Sequence, residues 1–402
     1  CTCEFGGALP LKPGSKKPTH CVHYLPNLDL EDGGVPRFVV DLCTVLAKQG
    51  MRVTLITQQA TDAPEHWNKR DDVPAVIVVN QRQLPGGLLT AKSLAKIALI
   101  FEDDVVLHLH IPWLLSNFQL AKLAKAKGVP YVVTPHGSLD TWSMAQKRLK
   151  KKIFWFLFGK RHYKDAMCIH YTAQCEREQG EKYIVKNAVK VIPCLFDTAE
   201  FRDLPDESLA RKKFKQISND KPNILFLSRI HPKKGTDILV QAAKILNDKG
   251  IEFNMLLAGP DDSKAKGYRE QLKSLITESE LNNSVHLIGM VKGQEKLSLY
   301  KLCDLFVLPT HQENFGLVLV EAMACGTAIL TSYGVDIWKE IKLGGATITN
   351  NEADKVAAEI ERLLSNKKQL NNLGDDSRNW VLKEFDAEKL AADYSLMYIQ
   401  SF

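Results

Sequence analysis

Short apolar runs alternate with helical patterns along the whole sequence, and this alternation is the feature that most constrains the fold. It predicts doubly wound α/β architecture, in which mostly parallel sheets are covered by helices. In the first half, strands are predicted at residues 20–26, 52–58, 75–80, 105–110, 131–136 and 189–193. In the second half, they are predicted at residues 223–229, 253–259, 284–290, 305–310 and 327–332. Predicted helices include residues 36–49, 236–248, 264–278 and 294–303.

The two halves predict two similar sheets in series. A chain of 402 residues is long enough for roughly two to three domains of ordinary size. The polar, lysine-rich passage at residues 203–221 is the predicted boundary between the halves, because such passages are typical of domain linkers.

The composition is that of a soluble globular protein, 45% hydrophobic and 25% charged. No apolar run approaches the ~18 residues that span a bilayer, and residues 1–17 lack the apolar core of a signal peptide. The nine cysteines are scattered, with only Cys1 and Cys3 close together, and several lie in apolar runs. We therefore expect reduced, mostly buried thiols in a cytoplasmic protein.

The net charge of +6 comes from one segment, residues 144–164, which holds eight Lys and Arg and no Asp or Glu. The rest of the chain carries a formal charge of −2, which argues against a general nucleic-acid coat. In this segment the apolar residues 153–158 lie between two basic clusters, as in helices that rest on anionic lipid.

On a helical wheel, the apolar residues of this segment do not all fall on the same face. Leu149, Ile153, Phe156 and Leu157 share one face. Phe154 and Phe158 fall elsewhere, so part of the cluster is expected to pack into the first domain. Two interpretations stay open here: peripheral association with an anionic membrane surface, or a solvated basic face over core aromatic residues.

Residues that can bind a ligand or take part in catalysis lie directly after the predicted strands. In open parallel sheets, ligands bind outside the carboxyl ends of the strands. The residues found there are Gly33 and Gly34, His136 and Gly137, Arg229 to Lys234, Met290 and Val291, and Glu313 with Phe315 and Gly316. We expect the site at these loops.

The stretch SRIHPKKG, residues 228–235, connects a predicted strand to a predicted helix. Arg229 and Lys234 can both point at the end of the sheet, next to a helix N-terminus that favours anions. A guanidinium fork and an ammonium together suit a phosphate or a diphosphate. A solvated basic loop is an equally good explanation of this stretch by itself.

A nearly apolar helix is predicted within residues 311–332, HQENFGLVLVEAMACGTAILTS. One carboxylate, Glu313, precedes this helix, and another, Glu321, lies inside it. The backbone N–H groups of Phe315, Gly316 and Leu317 begin that helix directly after a strand, and Gly316 permits close approach of a ligand. Glu321, about two turns further along, can accept hydrogen bonds from vicinal hydroxyls such as those of a ribose. Glu313 lies where a second polyol could bind.

A diphosphate between two hydroxyl-rich rings is a nucleotide sugar, which these residues together favour. Simpler roles remain open for both carboxylates. Glu321 could form a buried ion pair with a Lys or Arg, and Glu313 could be a helix-start carboxylate stabilised by the helix dipole.

Several motifs together resemble family-4 retaining glycosyltransferases of the GT-B fold. They are LEDGGVPRFVVDLCTVLAKQGMRVTLIT, SRIHPKKGTDIL, LLAGPDD, HLIGMV and DLFVLPTHQENFGLVLVEAMACGTAILTS. TPHGSLDTWSM is similar to a subgroup associated with bacterial surface polysaccharides. The likeness extends over nearly the whole chain, and the combination of E-x7-E with R-x4-K is specific.

The resemblance implies two Rossmann-like domains facing across a cleft. The first, at residues 1–200, would lie on the acceptor side, and the second, at 201–385, would bind the nucleotide sugar. The last helix, at about 386–402, would cross back to the first domain.

The resemblance also implies roles for residues of the second domain. Arg229 and Lys234 would hold the donor diphosphate, and Glu321 the ribose. Glu313 and the N–H groups of Phe315 to Leu317 would hold the transferred sugar. The base would lie near Met290 and Val291.

In the first domain, the resemblance implies that His136 meets the sugar and that Gly33 and Gly34 leave room for the phosphates. Two stretches depart from the family pattern. Asn314 stands where a glycine is common, which can alter the sugar pocket, and PCLFD at residues 193–197 replaces the usual P-N-G-x-D.

No D-x-D, P-loop or G-x-G-x-x-G motif occurs in the sequence. The charge of the leaving group would then be neutralised by Arg229, Lys234 and helix N-termini. We therefore expect no cofactor and no obligatory metal. The expected partners are a nucleotide sugar and a saccharide or lipid-linked acceptor. The expected location is the cytoplasm, with peripheral association at the inner face of the membrane left open.

Two other functions stay open on the same scaffold. One is a nucleotide-sugar epimerase or a phosphorylase. An assay of acceptor-dependent release of nucleoside diphosphate would distinguish these enzymes from a transferase. The other is a non-catalytic nucleotide-sugar-binding subunit, which would bind the donor without turnover.

Overall fold

The computed structural model describes residues 18–30, 33–70, 72–82, 86–102, 104–184, 187–215, 217 and 220–399. The chain divides into two compact units. The first contains the residues up to Asp197 together with the last segment, from Phe385 onward. The second runs from Thr198 to Glu384.

The first unit is a seven-stranded sheet with the order β3-β2-β1-β4-β5-β6-β7, in which every pairing is parallel. Its strands are β1 (His20–Tyr24), β2 (Arg52–Thr57), β3 (Ala75–Val78), β4 (Val105–His110), β5 (Tyr131–Thr134), β6 (Cys168–Tyr171) and β7 (Ala188–Val191). Its helices are α1 (Gly34–Lys48), α2 (Ala91–Ala98), α3 (Leu115–Lys127), α4 (Thr141–Ala145), α5 (Arg148–Phe154), α6 (Lys160–Lys164) and α7 (Gln174–Gly180), with a π-helical turn at Trp155–Gly159. The central strands β1 and β4 are buried along their whole length, which explains their nearly continuous apolar sequence.

The second unit is a six-stranded sheet with the order β10-β9-β8-β11-β12-β13, again parallel throughout. Its strands are β8 (Asn223–Leu227), β9 (Asn254–Ala258), β10 (Val285–Gly289), β11 (Leu305–Leu308), β12 (Ala328–Ser332) and β13 (Thr347–Thr349). Its helices are α8 (Ser208–Lys213), α9 (Thr236–Asp248), α10 (Tyr268–Glu278), α11 (Gly293–Leu302), α12 (Leu317–Ala324), α13 (Trp338–Leu343), α14 (Ala353–Leu364) and α15 (Lys367–Glu384). Two 3-10 turns, Thr198–Phe201 and Pro232–Lys234, complete it.

The predicted α/β class is confirmed, and each predicted strand coincides with an observed one. Strands β6 and β13 were not predicted. The helix predicted at residues 264–278 begins only at Tyr268, because Gly267 before it has a left-handed backbone and residues 263–266 form turns.

The passage at residues 203–221 is not a boundary, so that prediction is wrong. Helix α8, which lies in it, belongs to the second unit and packs on α11. The hydroxyl of Ser298 accepts a hydrogen bond from the N–H of Ala210 at 3.0 Å, and Ala210 is fully buried. The lysines that suggested a linker instead cover the outside of a short packed helix.

The last helix, α16 (Ala387–Ile399), belongs to the first unit and packs on α1. Its Tyr394 hydroxyl donates to the carbonyl of Pro193 at 2.9 Å, and its Tyr398 hydroxyl contacts Nδ1 of His108 at 2.8 Å. Pro193 begins the unusual PCLFD stretch, whose Cys194, Leu195 and Phe196 are buried. This departure from the family pattern is therefore accommodated as core.

The seven described cysteines are thiols, and six of them are buried, as expected. Cys1 and Cys3 lie outside the described residues. Within the described part of the chain, none of the helices combines the length and the apolar character that a membrane span requires.

Candidate functional site

The predicted donor residues of the second unit follow three strands of its sheet. Arg229 follows β8, Met290 and Val291 follow β10, and Glu313 follows β11. Because the strands are parallel, their carboxyl ends lie at the same edge of the sheet. The strand order reverses between β8 and β11, and ligands of open α/β sheets bind at such a reversal.

Lys234 ends the 3-10 turn after β8, and its side chain is buried. The ring of His231 caps this turn by accepting from the N–H of Lys233 at 3.0 Å. The Lys234 ammonium forms an ion pair with the Glu313 carboxylate. An ammonium has three donors, so Lys234 keeps hydrogen-bonding capacity for a ligand anion.

Glu313 is fixed through its backbone as well as its side chain. Its N–H donates to the carbonyl of Gly334 at 2.8 Å, and its carbonyl accepts from the N–H of Asp336 at 2.9 Å. Burial alone would raise the pKa of this carboxyl, but Lys234, Lys233 and Arg229 outweigh it and hold the pKa below its ordinary value. Glu313 is therefore ionised, an acceptor ready for ligand hydroxyls.

Arg229 is held by a carboxylate that was not predicted. Its Nη1 lies 2.9 Å from Oδ2 of Asp262, which follows β9 and is nearly buried. Although burial raises the pKa of Asp262, hydrogen bonding from the N–H of Lys264 and the charge of Arg229 lower it overall. The Arg229 side chain is 38% exposed, and the ion pair uses one of the five N–H groups of its guanidinium, so other donors can bind a ligand.

Helix α12 begins at Leu317, directly after Gly316. Gly316 has φ +74°, and a Cβ there would lie 3.0 Å from Leu319 and 3.2 Å from Cγ of Glu313. Glycine is thus required both by the backbone and by the packing of the Glu313 side chain. Phe315 is buried, and the Asn314 amide donates to Asp336 at 3.4 Å.

Glu321 has two partners from α11. Lys296 Nζ lies 2.8 Å from its Oε1, and the Tyr300 hydroxyl lies 3.1 Å from its Oε2. The Glu321 side chain is 12% exposed. The simpler role left open from the sequence, an ion pair inside an apolar helix, is therefore present, and the two partners stabilise a charge that would otherwise be costly to bury.

The residues predicted to lie near the base differ in exposure. Met290 is 41% exposed, whereas Val291 is buried. An exposed thioether beside a buried valine can form one wall for a planar ring.

In the first unit, Gly33 is the N-cap of α1 and Gly34 its first residue. Gly33 has φ +120°, a conformation that L side chains rarely adopt. The N–H groups in the first turn of α1 therefore lie beside two residues that carry no side chain.

His136, two residues after the end of β5, has φ +52°, in the left-handed region. The next residue, Gly137, donates its N–H to Oε1 of Glu176 at 2.6 Å. Oε2 of Glu176 accepts from the N–H of Thr172 at 2.7 Å and from its hydroxyl at 2.9 Å. This buried carboxylate, missed from the sequence, fixes the loop that carries His136.

His136 is the end of a row of three histidine rings. Its Nε2 lies 2.9 Å from Nδ1 of His110, and Nε2 of His110 lies 3.1 Å from Nδ1 of His23. Nε2 of His23 contacts the Cys21 thiol at 3.2 Å. Burial lowers the pKa of His136 and of His23 to about 3, with His170 adding to the effect at His136, so the rings are neutral at neutral pH.

A second row has defined tautomers. His170 Nε2 lies 2.9 Å from the Ile192 carbonyl, which can only accept, so this nitrogen carries the proton. His170 Nδ1 then accepts from Thr134, at 2.7 Å, and the Thr134 oxygen accepts from Nε2 of His108, at 2.6 Å. His108 Nδ1 is left to accept from the Tyr398 hydroxyl.

Among the described residues, one group has the spacing of a metal site: His23, His108 and His110, whose ligand atoms lie within 4.8 Å of one another. All six ring nitrogens of these residues already have hydrogen-bonding partners. A metal would have to replace these bonds, so we interpret the group as a hydrogen-bonded core network.

Sequence reasoning thus missed Asp262, Glu176, Lys296, Tyr300 and the inner histidines. A signal for His23, His108 and His110 was present, because the predicted strands HCVHYLP and VVLHLH carry them within apolar runs. Asp262 also follows a predicted strand.

Two family models match the chain. The model described as Glycosyltransferase Family 4 matches residues 32–200, and the one described as Glycosyl transferases group 1 matches residues 209–380. Together they cover most of both units.

Named relatives and a solved structure agree with these models. The D-inositol 3-phosphate glycosyltransferase of Segniliparus rotundus is 25% identical, over 85% of this chain and 79% of that protein. The lipopolysaccharide 1,2-N-acetylglucosaminetransferase of Salmonella typhimurium is 26% identical, over 52% of this chain and 56% of that protein. The structure of Anabaena HepE in complex with UDP and glucose superposes with a TM-score of 0.75, at 18% identity, over 93% of this chain and 98% of HepE. The chain belongs to glycosyltransferase family 4 and is a glycosyltransferase of the GT-B fold.

Proposed function

We propose that the enzyme transfers a sugar from a nucleoside-diphosphate sugar to a saccharide or lipid-linked saccharide acceptor, with retention of configuration and without an obligatory metal. One observation carries the proposal: Arg229, Lys234 and Glu313 lie together where the strand order reverses. HepE, of the same fold, was solved with UDP and glucose, which supports a nucleotide sugar as donor.

In this proposal the diphosphate lies against Arg229, Lys234 and the N-terminus of α12. The Arg229 guanidinium keeps its ion pair with Asp262 and donates its other N–H groups to phosphate oxygens. Lys234 keeps Glu313 and donates its remaining N–H groups. Glu313 accepts from hydroxyls of the transferred sugar, and Glu321 from the ribose.

The transfer we propose breaks the bond between sugar C1 and the diphosphate oxygen, and the electron pair leaves with the phosphate. The acceptor oxygen bonds to C1 on the face that the diphosphate leaves, and its proton passes to the departing phosphate oxygen. Negative charge grows on the diphosphate in this step, so Arg229 and Lys234 stabilise the transition state more than the bound donor. No metal is needed for that role.

We further propose that His136 contacts the transferred sugar and that Gly33 and Gly34 admit the phosphates. A neutral imidazole whose Nε2 contacts His110 can orient a sugar hydroxyl without adding charge. The product we propose is a cell-surface polysaccharide or its lipid-linked precursor, made at the cytoplasmic face of the membrane. The similarity to a lipopolysaccharide transferase supports this choice.

A thermal-shift screen of nucleoside diphosphates and their sugars tests the donor. A ligand that binds the folded state raises the melting temperature in proportion to the logarithm of its concentration over its Kd. We expect one nucleoside diphosphate and its sugar to do so, both with and without EDTA. A screen in which no nucleotide raises the melting temperature would contradict the donor assignment.

Turnover is then measured as acceptor-dependent release of nucleoside diphosphate. Arg229→Ala and Lys234→Ala should each lower kcat more than they raise the donor KM, by roughly ten- to a hundredfold in kcat/KM, as expected for a charged hydrogen bond. A higher KM with unchanged kcat would show that these residues only bind the donor.

A further inference from the structure

The segment at residues 148–164 forms one continuous helical element, made of α5, the π-helical turn and α6. Its inner side is aromatic and packs into the first unit. The Phe154 ring lies 5.5 Å from Trp113, the Phe158 ring 5.3 Å from Phe118, and the Trp155 ring 5.3 Å from Tyr163. The predicted division of the helical wheel is therefore confirmed on this side.

The opposite side carries the four apolar residues that the wheel placed together, and all are exposed. Leu149 is 74% exposed, Ile153 53%, Phe156 82% and Leu157 56%. We call these four residues the outer face. A solvated basic helix over core aromatic residues accounts for the lysines but not for four large apolar side chains in water.

Positive charge surrounds the outer face. Arg148, Lys150, Lys152 and Lys160 are exposed on the same element, which contains no acidic residue. The positive surface continues onto α3, where Lys122 and Lys125 line one pocket together with Arg161. The acid in that pocket, Asp165, is already paired with Lys125 at 2.8 Å.

We infer that the outer face docks on an anionic lipid membrane, with its apolar side chains in the headgroup region and the flanking lysines on lipid phosphates. Exposed apolar side chains between cations are complementary to an anionic bilayer, in which negative headgroups lie over an apolar layer of acyl chains. A protein partner would need a matching acidic rim around an apolar pocket, whereas an anionic bilayer supplies both. The inference does not depend on the proposed transfer reaction, because vesicle binding is measured without donor or acceptor.

The test is co-sedimentation of the full chain with two kinds of vesicle, phosphatidylcholine alone and phosphatidylcholine mixed with phosphatidylglycerol, at low and high salt. We expect binding to the anionic vesicles that weakens as salt rises, and little binding to the neutral ones.

Two variants separate the charged and apolar contributions. Lys150→Gln/Lys152→Gln/Lys160→Gln should lower the partition coefficient roughly a hundredfold, since each charge near the surface contributes about 1 kcal/mol. Phe156→Ser should lower it by about ten- to a hundredfold, the loss expected for one buried aromatic side chain. Lys151 is left unchanged, because it donates to the Ser143 carbonyl at 2.5 Å.

Each variant has a matched control. Lys48→Gln/Lys69→Gln/Lys368→Gln removes the same charge from exposed positions elsewhere. Leu99→Ser replaces another apolar residue of the first unit, 79% exposed. Both controls should bind anionic vesicles like the unmodified chain.

Three results would overturn the inference. In the first, the unmodified chain binds neutral and anionic vesicles equally. In the second, the triple lysine variant and Phe156→Ser bind anionic vesicles as well as their controls do. The third is a change of oligomeric state in Phe156→Ser, measured by sedimentation velocity, with unchanged vesicle binding; that would assign the outer face to a contact between copies of the chain.

Discussion

Glu321 has a structural role as the partner of Lys296 and Tyr300, and we propose a second role for it in binding the ribose. Its partners Lys296 and Tyr300 leave lone pairs on both oxygens. If it binds ribose, Glu321→Gln should weaken nucleoside diphosphate binding by about 1.5 to 3 kcal/mol, the usual range for a hydrogen bond to a charged group. Isothermal titration calorimetry measures this directly.

Lys296→Gln is the control for Glu321, because it breaks the same ion pair and leaves the carboxylate in place. We expect it to retain most of the nucleotide affinity. If the two variants lose affinity equally, or if neither does, Glu321 serves only as the partner of Lys296.

His136 is predicted to act on the sugar and not on the nucleotide. His136→Ala should abolish most transfer while nucleoside diphosphate affinity stays unchanged. Glu176→Gln, which alters the carboxylate that holds the Gly137 N–H, should lower kcat less and leave the donor KM near normal. Full activity of His136→Ala would remove this residue from the site.

At the residue scale, the sequence pointed to the charged residues at the ends of the strands and missed the side chains that pair with them. Arg229, Lys234 and Glu313 were recognised because they follow strands within a specific motif. Asp262, Lys296 and Glu176 were missed because each reaches its partner from a different element, and such distant pairings leave no local pattern. The Lys234–Glu313 pair is also distant, 79 residues apart.

At the element scale, the long, regular segments were predicted well. Helix α9 and strand β4 begin and end at the predicted residues. Strand β6, with the sequence CIHY, was missed because it has only four residues and a polar one inside. Strand β13 has three residues at the edge of its sheet, too few for a period to be read.

Helix α16 is predicted to stabilise the first unit through one hydroxyl. Tyr398→Phe removes the donor to Nδ1 of His108 and leaves a buried acceptor unpaired. We expect the free energy of unfolding to fall by about 1 to 3 kcal/mol, measured by urea denaturation. Tyr333→Phe, at a half-exposed position, is the control and should change stability little. Equal stability of both variants would contradict the tautomer assignment.

At the scale of the whole molecule, the buried histidines predict sensitivity to acid. Burial lowers the pKa of seven histidines of the first unit: His20, His23, His108, His110, His136, His162 and His170. Their unfolded pKa is about 6.5, so the unfolded chain binds more protons below that pH and stability falls as pH falls. Each such histidine contributes up to about 1.4 kcal/mol per pH unit in this window.

Urea denaturation between neutral pH and about pH 5 measures this effect above the range in which ordinary carboxylates titrate. We expect the free energy of unfolding to fall steadily over this range, and His170→Asn to reduce the slope. A flat profile would show that the histidine network is not neutral and buried in solution.

The most direct measurement of the central claim is proton NMR of a complete transfer reaction in EDTA, with the donor found by thermal shift. The coupling of the anomeric proton reports the configuration at sugar C1 before and after transfer. We predict that the product keeps the donor's configuration and forms at an undiminished rate without divalent cations. An inverted product, or transfer that stops in EDTA and returns with added metal, would contradict the proposed mechanism.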